Sequence, residues 1–263
     1  MKHYFDYRLE DGGIAVQFCN TLSIEEREMH SYHEILYCEN ASTVFYTENE
    51  KTTLCGKQLL IIPKGKYHML DVGVAEEFTR LKIFISDEVI NKLPVCIFSS
   101  EIRIVTEFGS VVESLIDKVC ELMRRVSDER DKFYVFCAVK MLIAELNLSN
   151  IKNYASDKID KNGSEIIRMT VLYISQNLSE DLSVNALSKI ANVSPSYLTH
   201  EFKKTVGIQL HKYIVQKRMV HAREMLDRGE KPTKIYINCG YNDYSSFYKA
   251  YLNYFNTPPS EKK

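Results

Sequence analysis

Hydrophobic positions change their spacing along the chain, and the change divides it into two parts. Short runs rich in β-branched and aromatic residues, separated by Gly, Asn and Pro, occupy residues 14–86. Such runs predict a small antiparallel barrel or sandwich. From Glu107 onward, apolar residues recur with the spacing of a helix, about every 3.6 positions. The pattern therefore predicts an α+β protein whose first part is β-rich and whose second part is helical.

Two helices are predicted directly after the strands, over residues 108–126 and 131–148. The second is apolar over more than one face, since Phe133, Phe136 and Val139 cannot all contact one neighbour. A helix that needs cover on two sides usually packs on its own domain and on a further surface. The alternative is that both helices only cap the barrel.

The region Leu182–Phe255 contains one helical pattern twice, with an offset of 49 residues. In the first copy an apolar run stops at Asn192, which tolerates a left-handed turn, and Ser194 with Pro195 starts a new helix. In the second copy Gly240 occupies the turn, after a short helical run over residues 235–239. Two short helices joined by such a turn are typical of a helix-turn-helix unit.

The second helix of each unit has one apolar face and one polar face. Leu198, Phe202 and Val206 in the first, and Phe247 and Tyr251 in the second, are predicted to point inward. The polar face supplies the candidate contacts to DNA bases, which are Ser196, Thr199, His200, Ser245, Tyr248 and Lys249. Candidate contacts to phosphates are Lys203, Lys204 and Arg218. For Arg218 an equally favoured alternative is a structural role, packed between the two units.

One long helix is predicted between the two units, from Gln209 to Arg228, because this stretch contains neither Gly nor Pro. Its twenty residues span roughly 30 Å, close to the ~34 Å turn of B-DNA. The two polar helix faces are therefore expected to reach successive major grooves on one side of a duplex.

Charge and cysteine content narrow the class of protein. Residues 164–263 contain 14 Lys and Arg against 9 Asp and Glu, a net charge of +5, whereas residues 1–163 have a net charge of -6. A basic helical part suits phosphate binding. The seven cysteines are odd in number and lack a CxxC pair, which favours reduced thiols in a cytoplasmic protein. The absence of an apolar leader or long apolar run predicts a protein neither exported nor membrane-spanning.

Three stretches carry a resemblance to a known family: NVSPSYLTHEFKKTVG, QKRMVHAREML and CGYNDYSSFYKAYLNYFNTPPSE. They resemble the DNA-binding domain of the AraC/XylS family of bacterial transcription regulators, over about the last hundred residues. The chain departs from the family at Asn192, at Tyr236, and at Leu252 and Asn253, where the family usually has Gly, a small residue and a basic pair. The last departure weakens the case for phosphate contacts from the second unit.

The segment MHSYHEILYCENASTVFYTENEKTTLCGKQLLIIPKGKYHML resembles the cupin-type effector domain that precedes the DNA-binding domain in many members of that family. The resemblance implies an effector-sensing and dimerisation domain over residues 1–150, with its helices at about 107–148. A polar linker at 151–163 and a double helix-turn-helix domain at 164–263 complete the implied organisation.

Four residues are candidates for an effector pocket in the cupin-like domain: His30, His33, Glu34 and His68. Metal-binding cupins use a His-x-His pair with a carboxylate and a further His. Here His30 and His33 are three positions apart, so strand alternation directs them to opposite faces. We therefore expect no bound metal and no other cofactor. Ordinary barrel-lining or surface roles are the alternative for all four.

The helical patterns favour a sequence-specific DNA-binding protein, and the resemblance implies a transcriptional regulator, an activator that responds to a small-molecule effector. The resemblance implies promoter DNA, RNA polymerase and a second copy of the chain as partners, and no membrane. The alternative is a DNA-binding regulator without a ligand, controlled by a partner protein or by its own abundance. A cupin-type metal enzyme is more remote: it leaves the two helix-turn-helix units unexplained, and the chain lacks a phosphate-cradling glycine loop, a nucleophile elbow and an HExxH motif. An enzyme is therefore not expected.

Overall fold

A computed structural model describes residues 6–19, 27–48, 51–71, 79–93, 97–98, 101–148 and 165–260. The strands are β1 (Asp6–Asp11), β2 (Ile14–Cys19), β3 (Arg27–Glu28), β4 (His33–Thr47), β5 (Lys51–Ile62), β6 (His68–Asp71), β7 (Thr79–Ile85) and β8 (Arg103–Val105). The helices are α1 (Asp87–Ile90), α2 (Ser110–Arg125), α3 (Glu129–Leu148), α4 (Glu165–Gln176), α5 (Val184–Ile190), α6 (Pro195–Val206), α7 (Leu210–Asp227), α8 (Pro232–Ile235) and α9 (Tyr244–Phe255). The predicted α+β class is confirmed, and the predicted linker lies outside the described residues.

The strands form one curled antiparallel sheet in the order β1-β2-β7-β4-β5-β8. β4 is its longest strand and changes partner along its length: residues 33–39 pair with β7, whereas residues 44–47 pair with β6. The pairing of β4 with β5 shifts register between Asn40 and Thr43. Because a bulge bends the strand that contains it, this shift lies where the sheet curls.

Two of the predicted runs, residues 35–37 and 43–47, belong to one strand rather than to two. The residues between them form the irregularity in β4 and not a turn, because β5 continues alongside both halves. β1 was not predicted. Its residues DYRLED carry too many charges to show an apolar alternation, and the strand forms because its backbone pairs with β2 at the edge of the sheet.

The sheet buries a different set of side chains on each face. On one face Ile35, Tyr37, Leu59 and Ile61 pack with the buried sides of α2 and α3. On the other face Leu36, Cys38, Phe45, Leu54, Leu60, Ile62 and Leu70 form a separate core inside the curl. Neighbouring residues of β4 therefore belong to different cores, as strand geometry requires.

α7 connects the two halves of the helical part. Its first half contributes Leu210, Tyr213 and Ile214 to a core shared with α4, α5 and α6. Its second half contributes Met219, Ala222 and Met225 to a core with α8 and α9. The long helix predicted from Gln209 to Arg228 is confirmed to within one residue at each end.

The turn of the first unit has the predicted conformation. Asn192 has a φ of 52°, in the left-handed region, and Gly207 ends α6 with a φ of 80°. In the second unit the helix before the turn differs from the prediction: α8 covers residues 232–235, and residues 236–240 form a turn. Pro232 lies in the first turn of α8, where its missing N–H costs no hydrogen bond, so the helix begins three residues before the predicted start.

Among the described residues, the helices are either too short or too polar to cross a lipid bilayer.

Leu198 provides a test of the first helix-turn-helix core. Its side chain is fully buried, whereas that of its neighbour Tyr197 is 45% exposed. We expect Leu198→Ala to lower the free energy of unfolding of the helical part by about 2–5 kcal/mol, because it leaves a cavity in a packed core. Tyr197→Ala, on the exposed side of the same helix, should change it by less than about 0.5 kcal/mol. Urea denaturation followed by circular dichroism measures both; equal losses would contradict the inward placement of Leu198.

Candidate nucleic-acid interface

The polar face of α6 is displayed on an ordered helix. Ser194 caps α6, its hydroxyl accepting the Tyr197 N–H at 3.2 Å, and Pro195 follows in the first turn. Ser196 and His200 are exposed and Thr199 is half-buried. The Thr199 hydroxyl is 3.0 Å from the backbone carbonyl of Pro195, so its proton is engaged within the helix. Thr199 therefore offers its methyl group and an acceptor lone pair outward.

α9 presents a comparable face in the second unit. The Asp243 carboxylate accepts the backbone N–H and the hydroxyl of Ser246, both at 2.8 Å, and these hydrogen bonds lower the pKa of Asp243. Ser245 and Lys249 are exposed, and Tyr248 is half-buried against the ring of Tyr244, with ring centroids 6.1 Å apart. The second face therefore combines one cation, one hydroxyl and one aromatic edge.

The inward positions of both helices are as predicted. Leu198, Phe202 and Val206 are fully buried, and so are Phe247 and Tyr251. Since the inward rows are fixed by two separate cores, the outward rows cannot rotate away from solvent without unpacking them. Ser196, His200, Ser245 and Lys249 consequently lie exposed on the side of α6 or α9 that faces away from its core. Thr199 and Tyr248 are half-buried at the edge of that side.

The predicted phosphate contacts fall into two groups. Lys203 and Lys204 are exposed in the last turn of α6, with Lys204 at 3.5 Å from the Glu201 carboxylate. Arg218 is half-buried instead: its guanidinium donates to the backbone carbonyls of Leu178 at 3.0 Å and Glu180 at 2.8 Å. This geometry favours the packing alternative for Arg218.

The surroundings of Arg218 explain why it is held there. Its guanidinium lies 5.7 Å from the centroid of the Tyr241 ring, and burial lowers its pKa. Gly240 has a φ of 74°, and a Cβ at this position would lie 2.4 Å from the carbonyl oxygen of Leu178 and against the Arg218 guanidinium. Glycine is therefore needed in the turn for both conformation and space. Arg218 joins the segment after α4 to the turn of the second unit.

A group of contacts between the β part and α7 was not predicted. Glu48 accepts a hydrogen bond from the hydroxyl of Tyr213 at 3.1 Å and forms an ion pair with Lys217. Lys217 also donates to the carbonyl of Gly65 at 3.1 Å. Burial, together with the Glu48 carboxylate, raises the pKa of Tyr213. The partners are more than 150 residues apart in the chain, so no local pattern could indicate them.

The four candidate effector residues do not form one cluster. His30, Glu34 and His68 are buried together, within the curl of the sheet. His33 lies elsewhere: its Nε2 is 3.2 Å from Asp87, its ring is 4.5 Å from that of Phe98, and burial lowers its pKa. His33 and Glu34 are consecutive in β4 and so point to opposite faces. His30 and His33 are therefore separated, as predicted. The reason differs in part, because His30 lies before β4 and not within it.

Comparison with known proteins agrees with this geometry. Residues 187–263 match the family model described as a helix-turn-helix domain. The chain is 31% identical over 121 residues to an uncharacterized HTH-type transcriptional regulator, YdiP, of Escherichia coli K12, and spans 40% of that protein. It is 28% identical over 121 residues to the Msm operon regulatory protein of Streptococcus mutans, spanning 42% of it. A longer match, 23% identical over 231 residues, covers 88% of this chain and 85% of the HTH-type regulator YobQ of Bacillus subtilis.

Solved structures are similar over different lengths. The C-terminal domain of AraT, a response regulator from Geobacillus stearothermophilus, is 28% identical, with a TM-score of 0.36 over 37% of this chain and 83% of that one. ToxT from Vibrio cholerae is 11% identical, with a TM-score of 0.39 over 97% of this chain and 96% of that one. The match to the family model identifies a helix-turn-helix domain in residues 187–263 of the chain. Its helix-turn-helix domain is of the AraC type, which confirms the resemblance seen in the last hundred residues.

Arg218 and Lys203 separate a packing role from a phosphate contact. We expect Arg218→Ala to destabilise the helical part by about 1–3 kcal/mol, because two backbone carbonyls lose their donor. Lys203→Ala should leave the melting temperature unchanged, since its side chain is exposed. Thermal unfolding measures both. An Arg218→Ala variant with the melting temperature of the unaltered protein would contradict the packing role and favour a phosphate contact for Arg218.

Proposed function

We propose that this protein is a sequence-specific DNA-binding transcriptional regulator, an activator whose β part senses a small molecule. The observation that supports it most is the pair of outward polar faces on α6 and α9, each backed by a fully buried apolar row and each starting at a capped N-terminus. A helix held in this way can enter a major groove with its polar face against base edges. Two such helices joined by α7 suit two grooves of one duplex.

The residue chemistry suits both base and phosphate contacts. Lys249 can donate to guanine acceptors, and the Thr199 methyl can contact that of thymine. Short side chains at Ser196 and Ser245 leave room for water-mediated contacts and for recognition of DNA shape. Lys203 and Lys204 would position the protein without specifying sequence. The proposed role is regulatory and not catalytic, in a cytoplasmic protein that acts with RNA polymerase at a promoter.

The alternative is a regulator without an effector, controlled by a partner or by its abundance. A specific observation favours sensing instead: the curl of the sheet contains buried polar side chains, among them Glu34 and His68. A few polar groups inside an otherwise apolar interior are typical of small-molecule sites. This polar interior supports a ligand-binding role for the inside of the sheet.

Substitutions on the two faces test the assignment. His200→Ala and Lys249→Ala should each weaken specific binding by about 1–3 kcal/mol and relax preference at a few base pairs. Lys203→Ala should weaken binding to all sequences alike. It should also reduce the slope of log binding constant against log salt concentration by about one. Fluorescence anisotropy with the protein's own promoter and with random DNA, at several salt concentrations, measures these effects. Equal losses on both DNAs for all three variants would contradict the assignment of the faces, and no binding by the folded protein at low salt would refute the function.

A homodimer is also proposed, through the outer face of α3. Phe133, Tyr134 and Met141 are 65%, 53% and 61% exposed, although the opposite side of α3 is packed against α2 and the sheet. With Cys137 and Leu148, Phe133 and Met141 recur at helical spacing and form one stripe. A self-complementary apolar stripe suits a two-fold dimer, which would tighten operator binding by raising the local concentration of the second DNA-binding domain.

Charge placed in the stripe should prevent this association. We expect Met141→Glu to convert a dimer to a monomer at tens of micromolar, because a carboxylate would be buried in an apolar contact. Met169→Glu is the matched control, since Met169 is 51% exposed on α4 and lies outside the stripe. Sedimentation velocity distinguishes the two species. A monomeric unaltered protein, or dissociation by both variants, would exclude α3 as the interface.

A further inference from the structure

Three side chains that can bind a metal ion meet inside the curled sheet. His30 lies just before β4, Glu34 is the second residue of β4, and His68 is the first residue of β6. They are 7%, 0% and 2% exposed. One ligand atom from each lies within 4.8 Å of the other two.

The hydrogen bonds of the two histidines define their tautomers. The Nδ1 atom of His30 is 2.8 Å from the carbonyl oxygen of Tyr32, and the Nδ1 atom of His68 is 3.2 Å from that of Lys66. A carbonyl oxygen can only accept, so each Nδ1 carries the proton. In a neutral imidazole the other nitrogen, Nε2, then has a lone pair.

Both Nε2 atoms point at one carboxylate oxygen. Oε2 of Glu34 is 2.8 Å from Nε2 of His30 and 3.1 Å from Nε2 of His68. Three groups that can donate an electron pair to a cation therefore converge in a buried place, an arrangement that suits a positive charge between them. A single proton can lie in only one of the two contacts between an Nε2 atom and the Glu34 oxygen. Protonating both imidazoles would bury two positive charges, which costs free energy because they lose their hydration. One divalent cation satisfies all three donors at once.

We propose that His30, Glu34 and His68 form a binding site for a divalent transition-metal ion such as Zn²⁺. Two imidazole nitrogens and one carboxylate are a common zinc ligand set, with the donors about 3.3 Å apart when zinc-to-ligand bonds are about 2.0–2.1 Å and tetrahedral. Imidazole ligands disfavour Mg²⁺ and Ca²⁺, which take oxygen donors. The Nδ1–H to carbonyl hydrogen bonds of both rings are the arrangement that orients metal-binding histidines.

The sequence-based expectation of no metal rested on the separation of His30 from His33. That pair is indeed separated, since His33 contacts Asp87 and Phe98. The other three candidates, His30, Glu34 and His68, come together without His33. Elemental analysis of the purified protein is therefore expected to find a bound metal ion, whereas the sequence alone predicted none.

The site is connected to the helical part through the segments that carry its histidines. The Gly65 N–H donates to the carbonyl of His30 at 2.9 Å, and Lys217 of α7 donates to the carbonyl of Gly65. On the same side, the Tyr67 ring is 5.7 Å from that of Tyr213, and the Tyr254 hydroxyl donates to the carbonyl of Met29. An ion that fixes His30 and His68 would therefore stabilise the two segments that contact α7 and α9. This coupling to DNA binding rests on the proposed function, whereas the metal site does not.

Metal binding is tested on the full-length protein after removal of metals with a chelator. Titration with Co²⁺ should produce the visible absorption of a four- or five-coordinate site at one ion per chain, and Zn²⁺ should displace it. Glu34→Gln and His68→Ala should each weaken binding at least tenfold. His33→Ala is the matched control and should bind like the unaltered protein, because His33 lies on the opposite face of β4.

Glu34→Gln keeps the size and shape of the side chain, so weaker metal binding by this variant cannot be attributed to loss of folding. Zn²⁺ should raise the melting temperature of the unaltered protein and of His33→Ala, but not that of Glu34→Gln. The proposal is overturned if the folded protein binds no Co²⁺ at micromolar concentrations. It is also overturned if the absorption is that of a thiolate site unaffected by Glu34→Gln, which would assign the ion to cysteines.

The coupling is tested separately by DNA binding with and without Zn²⁺. A change in affinity for the unaltered protein that is absent in Glu34→Gln supports it, and equal affinities in both conditions overturn it. Absence of DNA binding in either condition, with Zn²⁺ still bound, would refute the proposed function and leave the metal site standing.

Discussion

Burial of α7 in two cores is the constraint on which the helical part depends. The first half of the helix packs with α6, and the second half packs with α9. Because α6 and α9 are both fixed to one rigid helix, their outward faces keep a constant position relative to each other. The Arg218 hydrogen bonds to the carbonyls of Leu178 and Glu180 tie α7 to the segment that precedes α5. The same guanidinium lies 5.7 Å from the centroid of the Tyr241 ring, in the turn that precedes α9. A loss of packing at either end of α7 would therefore change the spacing of the two faces as well as the stability of one of them.

The contact between the β part and α7 has a different physical character. Glu48, Tyr213 and Lys217 form a hydrogen-bonded ionic group with little exposure to solvent, and Met29, Tyr67 and Met69 join the core of the first helical unit. A buried ion pair gains little net stability, because its desolvation offsets its attraction, but losing one partner leaves an uncompensated charge. Such a contact is more sensitive to small shifts than an apolar one. It is suited to transmitting a change in the sheet to α6 and α9, the helices proposed to bind DNA, provided that a ligand prefers one arrangement over the other.

The interior of the sheet supplies a place where such a change can begin. His30 and His68 are attached to the two segments that contact the helical part, and Glu34 belongs to β4, the strand that pairs with β5, β6 and β7. The proposed metal ion, bound by these three side chains, would affect both the centre of the sheet and its contact with α7. The outer face of α3 lies on the other side of the sheet, beyond the core formed with α2. The proposed ligand site and the proposed dimer interface thus lie on opposite faces of one sheet.

The sequence alone determined the features that depend on local geometry. The two helix-turn-helix units, their buried rows and the long α7 follow from helical spacing and from caps at Ser194, Asn192 and Gly207, which act within a few residues. The bulge in β4, the start of α8 and strand β1 depended on pairing or backbone conformation that residue patterns do not encode. The tertiary structure alone decided that Arg218 packs between the units, that Glu48 meets Lys217, and that Glu34 rather than His33 joins His30 and His68. The physical reason is that these contacts join distant segments, and strand alternation places consecutive residues of β4 in different cores, so a shift of one position decides which side chain enters the site.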